Sequence, residues 1–353
     1  MAGDAEVLGR HCEEIARARL APSVYDYAAG GADDEVSLRR NESAYDKYAL
    51  LPRVLTGVAE ADSRMSLLGA DWSAPLFVVP MGGHRLMHDD GERATAAAAA
   101  TAGIGYVTSS AATTALEDIA AAGQVPWFQL YWLADRQITA DLVRRAEAAG
   151  YGALCLTVDM PVVGLRRRDL ANHYRLPSHL SHANLTGYAI AGADDGEIPY
   201  FARLIDGAVS WKDLAWLRSL TSIPLIIKGV MSPDDARIAV AEGVDGVYVS
   251  NHGGRQLGRC PSTLSTLPSV AEAVDGRVPV IFDGGVRSAS DVMVALALGA
   301  TAVGVGRPVL WTLAAGAREA VEELLVRFVS DLRRLMILTG CGRVGDIGSA
   351  LLA

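Results

Sequence analysis

Short, continuously apolar runs alternate with longer stretches of helical character along most of the chain. Candidate strands are Leu76–Val79, Gly105–Thr108, Trp127–Tyr131 and Ala153–Val158, then Pro224–Lys228, Gly246–Ser250, Pro279–Asp283 and Ala302–Gly306. These runs do not alternate between apolar and polar positions, the pattern of parallel strands buried on both faces. Helices are predicted over Glu92–Ala102, Leu116–Ala122, Arg136–Ala149, Trp211–Leu220, Pro233–Glu242, Leu264–Val274, Ala289–Leu298 and Pro308–Ala315. One start is clearly marked: Ser232 can cap, Pro233 suits the first helical position, and Asp234 and Asp235 complement the positive end of the dipole. Eight strands, each followed by a helix, predict an α/β fold of the closed (β/α)8 type. Residues 1–60 read as an N-terminal helical segment and residues 318–338 as a long closing helix. Residues 159–210 form the longest connection, of a length that marks a functional loop. A single barrel domain spanning 1–353 follows.

The stretch from Ala94 to Leu116 carries no charge, but it is rich in Ala, Thr, Gly and Ser and too weakly apolar to insert into a membrane. It predicts a buried helix followed by a buried strand. The start has neither a basic stretch nor an apolar core, so a cytoplasmic location without a signal peptide is expected. With 32 basic against 41 acidic residues the formal charge is −9, which argues against nucleic acid or an anionic membrane as the main partner. Cys12, Cys155, Cys260 and Cys341 lie far apart, so no disulfide framework and no metal site is expected.

In such a barrel, ligands bind where the strands end. Polar residues gather at those ends strand after strand: Gln129 and Tyr131, Thr157 and Asp159, Lys228, Ser250 to His252, Asp283 to Arg287, and Gly306 with Arg307. DGGVRS at 283–288 and GVGRP at 304–308 combine glycines, a basic residue and a following helix start, which suits a phosphate. His252 stands three residues before Arg255 with Lys228 one strand away. That set supplies a base, a bidentate clamp for a carboxylate and a second cation.

These segments bear a resemblance to a known family. VYDYAAGGADDE at 24–35, WFQLYW at 127–132, LTVDMP at 156–161, IIKGV at 226–230, SNHGGRQL at 250–257, DGGVRSASDV at 283–292 and GRPVLW at 306–311 resemble the FMN-dependent α-hydroxy-acid oxidases and dehydrogenases. That family includes glycolate oxidase, lactate oxidase, mandelate dehydrogenase and hydroxymandelate oxidase. The resemblance implies oxidation of a small 2-hydroxy acid to the 2-oxo acid, with FMN as cofactor and oxygen or a quinone or other acceptor. It also implies a homotetramer. It makes His252 the catalytic base, oriented by Asp159, with Tyr131 on the substrate oxygen. Arg255 becomes the main carboxylate clamp, helped by Arg166 and Tyr25. Lys228, Ser109, Gln129, Thr157 and Ser250 fall to the flavin ring, Asp283 to the ribityl chain, and Gly285, Arg287, Gly306 and Arg307 to the phosphate.

Some positions depart from the glycolate oxidases. Gly82, in VVPMGGH at 78–84, stands at a cofactor-facing position where many oxidases carry alanine, and glycine there is similar to mandelate dehydrogenase and lactate monooxygenase. Ala111 replaces a tryptophan over the substrate. Met160 and Arg85 are further candidate wall positions. A bulky, mandelate-type acid is therefore expected over glycolate. The competing expectations are a flavin-dependent isomerase without net redox chemistry, of the type 2 isopentenyl diphosphate isomerase kind, and a dehydrogenase or monooxygenase variant rather than a simple oxidase. In LRRRD at 165–169, Arg166 is the arginine expected at the cavity, and a one-residue shift would exchange it for a neighbour. His173, His179 and His182 read as ordinary loop residues.

Overall fold

The computed structural model describes residues 3–124, 127–188 and 204–353. Three helices come first, α1 (Ala5–Arg19), α2 (Pro22–Ala29) and α3 (Val36–Ser43), followed by a hairpin of β1 (Met65–Leu67) and β2 (Ala70–Trp72). The barrel strands are β3 (Leu76–Val78), β4 (Gly105–Ser109), β5 (Trp127–Tyr131), β6 (Ala153–Thr157), β7 (Leu225–Val230), β8 (Gly246–Val249), β9 (Val280–Asp283) and β10 (Ala302–Val305). Between and after them run α4 (Gly91–Ala102), α5 (Leu116–Ala122), α6 (Arg136–Ala148), α7 (Arg167–Ala171), α8 (Leu214–Leu220), α9 (Pro233–Ala241), α10 (Thr263–Val274), α11 (Ala289–Ala297) and α12 (Arg307–Leu338). All eight pairings are parallel, and β10 returns to β3 to close the barrel. The uncharged stretch around 94–116 is the buried helix α4 and the fully buried strand β4, as expected. Among the described residues no helix is long and apolar enough to cross a membrane.

Two apolar layers hold this arrangement. The outer one lies between the strands and the surrounding helices. The inner one fills the barrel with Phe77, Trp127, Tyr248, Val107, Ile226 and Ile281. Trp72, from the hairpin, closes the N-terminal end, 5.2 Å from Trp127 between ring centroids. The hairpin was not anticipated, because three-residue strands carry too little periodicity; its turn at Leu68 and Gly69 has φ of 47° and 81°. The predicted cap of α9 is present, with the Ser232 hydroxyl accepting from the Asp234 N–H at 3.2 Å. The two predicted C-terminal helices form one long element that breaks at Gly316 and Ala317, where Ala317 has φ of 54°. Helix α12 packs along α1, and the Ala5 N–H donates to Asp331 at 3.0 Å.

Filling the N-terminal end with tryptophan sets a space limit at the first residue of β4. A Cβ on Gly105 would lie 2.4 Å from the Trp72 ring and 2.8 Å from Phe77 Cβ. Gly105→Ala is therefore expected to destabilise the fold by about 1–3 kcal/mol through overpacking. Denaturant unfolding checks this, and an unchanged midpoint contradicts it.

Candidate active site

The C-terminal ends of the strands open into a cavity of about 660 Å3, a size that suits a cofactor together with a small substrate. Its wall includes Tyr27, Gly82, Ser109, Ala111, Tyr131, Met160, Arg166, Lys228, His252, Arg255, Asp283, Gly285, Arg287, Gly306 and Arg307.

His252 owes its place to a strained turn after β8. It has φ of 58°, and Gly253 and Gly254 follow at 63° and 74°. A histidine in this left-handed region costs about 1–3 kcal/mol and persists only where its surroundings impose it. Here the Asn251 carboxamide accepts from the Gly254 N–H at 3.1 Å. It also pairs with the carboxamide of Asn41 on α3, at 2.8 and 2.9 Å in the two directions. Arg307 donates to the Gly253 carbonyl at 3.2 Å. The N-terminal segment thus builds the turn as well as covering the barrel, a role its sequence did not reveal.

His252 Nδ1 lies 3.0 Å from Asp159 Oδ1. An ionised carboxylate only accepts, so the imidazole proton sits on Nδ1 and the Nε2 lone pair is left for the cavity. Nε2 is 3.4 Å from the Tyr131 hydroxyl. Burial depresses the imidazole below its ordinary range, against the pull of Asp159, and Lys228 and Arg166 push it the same way as burial. Burial works to raise Asp159, but the electrostatic pull of His252 and Lys228 and the hydrogen bond from His252 outweigh it, and the carboxyl is held below its usual range. Tyr131 is pushed up by burial and by Asp159, so it stays a phenol.

Lys228 is buried on β7. Its Nζ donates to Ser250 Oγ at 3.0 Å and lies 4.0 Å from Asp283. Ser250 and Tyr248 in turn donate to the two Asp283 oxygens, each at 2.8 Å. Burial works to discharge Lys228, yet Asp283 and Asp159 prevail and raise it, so the cavity keeps a buried ammonium.

The arginines of LRRRD and Arg255 separate by position. Arg167 pairs with Asp34, and Arg168 with Asp26 and Glu35, both outside the cavity. Arg166 alone of the three lines the wall, with its Nε buried and without a hydrogen-bond partner among the described residues. Arg255 donates from one nitrogen to the Tyr27 and Gly30 carbonyls, both at 2.7 Å, which fixes the guanidinium at the wall. Burial and Arg166 lower it to about 10, so it remains a cation at neutral pH.

Tyr25 is corrected by the structure. Its hydroxyl donates to Glu13 at 3.2 Å and its ring stacks on Trp311, away from the cavity. Tyr27 reaches the wall instead, because two residues along a helix turn the side chain by about 200°. Gln129, Thr157 and Ser250 do not line this cavity themselves. Gln129 accepts from Ser109 at 3.1 Å and donates to Thr157 at 2.9 Å, and of that row only Ser109 lines the cavity. Ser250 stands behind Lys228, and Arg85 is also off the wall. Gly82 and Ala111 meet in the wall: a Cβ on Gly82 would lie 2.8 Å from the Ala111 carbonyl, which also accepts from His182 Nδ1 at 3.2 Å. His182 therefore belongs to the wall, contrary to its plain reading in the sequence. Tyr174 and Asn41 were missed as well, and neither falls at a strand end. Among the described residues no cluster of His, Cys, Asp or Glu could hold a metal ion, and the four cysteines are buried and free.

The far end of the cavity fits a phosphate-bearing cofactor. Gly285 has φ of 76°, and a Cβ there would lie 2.1 Å from the Asn41 carbonyl, so only glycine brings this backbone to the wall. Arg287 and Arg307 stand beside it. Arg307 is pulled down to about 9 by burial and by the like charges of Arg255 and Arg287. Three guanidiniums crowded in this way call for an anion.

Comparison with known proteins agrees. The model of the FMN-dependent dehydrogenase family matches residues 16–353. The L-lactate oxidase of a Nostoc strain is 43% identical over 96% of this chain and 96% of its own. The 2-hydroxyacid oxidase 1 of Homo sapiens is 43% identical over 96% of this chain and 94% of its own. A solved mandelate oxidase with 3,3-difluoro-2-hydroxy-3-phenylpropionic acid superposes with a TM-score of 0.89 at 38% identity, covering 98% of each chain. The chain belongs to the FMN-dependent dehydrogenase family. It is an oxidoreductase that uses FMN to oxidise a small 2-hydroxy acid, and the isomerase expectation is set aside.

Arg287 offers a test of the anionic end. It donates to Glu42 at 2.6 Å and has one face in the cavity. Arg287→Ala is expected to weaken FMN binding roughly 10- to 100-fold through loss of a charge-assisted hydrogen bond. Flavin fluorescence on titration of the apoprotein reads this directly; unaltered affinity would remove Arg287 from the phosphate end.

Proposed function

We propose that this enzyme oxidises a bulky 2-hydroxy acid of the mandelate type, with His252 as the base and molecular oxygen as the electron acceptor. The observation that carries the reading is the His252 imidazole, held by Asp159 at Nδ1 with Nε2 beside the Tyr131 hydroxyl, in one cavity with Arg166 and Arg255.

Arg255 and Arg166 would take the substrate carboxylate, with Tyr27 beside them in the place expected of Tyr25. Two-point binding by a guanidinium fixes orientation as well as charge. The Tyr131 hydroxyl would donate to the oxygen on C2. Nε2 of His252 takes a proton from the reacting C–OH unit, and Asp159 stabilises the imidazolium that results. The chemistry supplied by FMN, when bound, would be that of an acceptor for the two electrons and the substrate's second hydrogen. Ser109, Gly82 and Lys228 line its ring end, and the Lys228 ammonium opposes negative charge building up there. Ser250, Gln129 and Thr157 brace these residues from behind. Asp283 would face the ribityl chain, and Gly285, Gly306, Arg287 and Arg307 the phosphate.

Two features support a bulky substrate over glycolate. Gly82 and Ala111 leave their part of the wall nearly without side chains. Solved structures similar to this chain are mandelate oxidases, one of them with (S)-2-phenylpropionate. Oxygen as acceptor is supported by the relatives, which are oxidases.

His252→Ala should lower kcat by about 10²- to 10⁴-fold while FMN stays bound. Normal turnover by that variant would contradict the assignment. Because burial holds the imidazole down, kcat/KM should be level at neutral pH and fall only as pH drops through a value below about 6.5. In Asp159→Asn the fall should move to still lower pH, since the carboxylate raises the imidazole, and the plateau should drop. Independently, kcat/KM for mandelate should exceed that for glycolate, and the reverse ranking refutes the substrate assignment.

A further inference from the structure

One hydroxyl reaches the site from inside the barrel packing. Tyr248 is fully buried on β8, in an interior packed with Phe77, Trp127, Val107, Ile226 and Ile281. The sheet register sets it beside Lys228 on β7 and beside Ile281 on β9, two residues before Asp283. Residues two apart share a strand face, so the Tyr248 phenol meets the Asp283 carboxylate across the barrel interior. Lys228 and Asp283 line the cofactor cavity, whereas Tyr248 does not.

The hydroxyl is more than packing requires, since phenylalanine would fill the same space. It donates to Asp283 Oδ2 at 2.8 Å, and Oδ2 is the oxygen that lies 4.0 Å from Lys228 Nζ. The other oxygen, Oδ1, accepts from Ser250 at 2.8 Å, and Ser250 in turn accepts from Nζ at 3.0 Å. An ammonium beside a carboxylate ordinarily closes to a charge-assisted hydrogen bond of about 2.7–2.9 Å. Here it stands off, with Tyr248 on the oxygen it would take and the Tyr248 ring centroid 5.3 Å from Nζ. Burial and Asp283 raise the phenol, so it keeps its proton and stays a donor.

We propose that Tyr248 is a positioning residue: by holding Asp283 Oδ2 it keeps the Lys228 ammonium from closing onto the carboxylate, and so leaves that charge turned to the flavin ring. Two electrons arriving with one proton leave the ring one negative charge richer, and a cation left free beside it favours that change. Without the phenol, Oδ2 loses a donor, the ammonium moves onto it, and its charge is neutralised within the protein. The inference rests on placing Lys228 at the ring end, and is independent of the substrate, base and acceptor proposed above.

The test measures the two-electron reduction equilibrium of FMN bound to the parent and to Tyr248→Phe, which keeps the ring, by anaerobic dithionite titration against a reference dye. No 2-hydroxy acid is present. The variant is expected to retain FMN and to favour its oxidised form about tenfold more than the parent does, a potential about 30 mV lower. A crystal structure of the FMN-loaded variant should show Lys228 Nζ within hydrogen-bond distance of Asp283 Oδ2 in place of the 4.0 Å separation. An unchanged or raised potential, an ammonium that keeps its separation, or a variant that cannot hold FMN overturns the role of Tyr248. Lys228→Met separates the two readings. Its potential should also fall, and if it does not, the ring-end placement of Lys228 fails and this inference with it.

Discussion

The hydrogen bond between His252 Nδ1 and Asp159 is the constraint on which the site depends. It selects the tautomer, aims Nε2 at the cavity, and balances two opposing effects. Burial keeps the imidazole neutral, while the adjacent carboxylate keeps it able to accept a proton. Neither effect alone would serve the proposed base: an isolated buried histidine resists protonation, and an exposed one beside a carboxylate loses its aim. The turn that carries it is left-handed at three successive residues. The reciprocal Asn41–Asn251 pair and the Arg307 contact to Gly253 supply the rigidity that this backbone requires.

Charge placement follows the same logic. The chain carries a formal −9, yet one cavity gathers Arg166, Lys228, Arg255, Arg287 and Arg307. Asp159 and Asp283 offset part of this from beneath. The ammonium of Lys228 is kept charged by those two carboxylates, while Arg255 and Arg307 are depressed by burial and by neighbouring guanidiniums. Clustered cations of this kind attract anions locally, whatever the sign of the whole molecule. An acidic protein can therefore hold a phosphate at one end of its cavity and a carboxylate at the other.

Much of this was legible in the sequence, and the exceptions have physical causes. The eight barrel strands showed themselves as continuous apolar runs, because parallel strands are covered on both faces. Polar residues at their ends located the cavity. The β1–β2 hairpin was invisible because three residues carry no usable period. Tyr25 and Tyr27 are both tyrosines on one helix, and only the rotation per residue decides which reaches the wall. Gln129, Thr157 and Ser250 were read as facing the cofactor; in the structure Gln129 hydrogen-bonds Ser109 and Thr157, and Ser250 hydrogen-bonds Lys228. In LRRRD the structure sends Arg166 to the cavity and gives Arg167 and Arg168 acidic partners from the N-terminal segment. Tyr174 and His182 escaped notice because a long connection has no periodicity to show which side chains turn inward.

The most direct test is a crystal structure of the FMN-loaded enzyme with a bound 2-oxo acid product. The expected complex has the carboxylate on Arg255 and Arg166, and the C2 oxygen within hydrogen-bond distance of both His252 Nε2 and the Tyr131 hydroxyl. A product seated with its carboxylate away from those arginines, or an imidazole turned off Asp159, would contradict the site described.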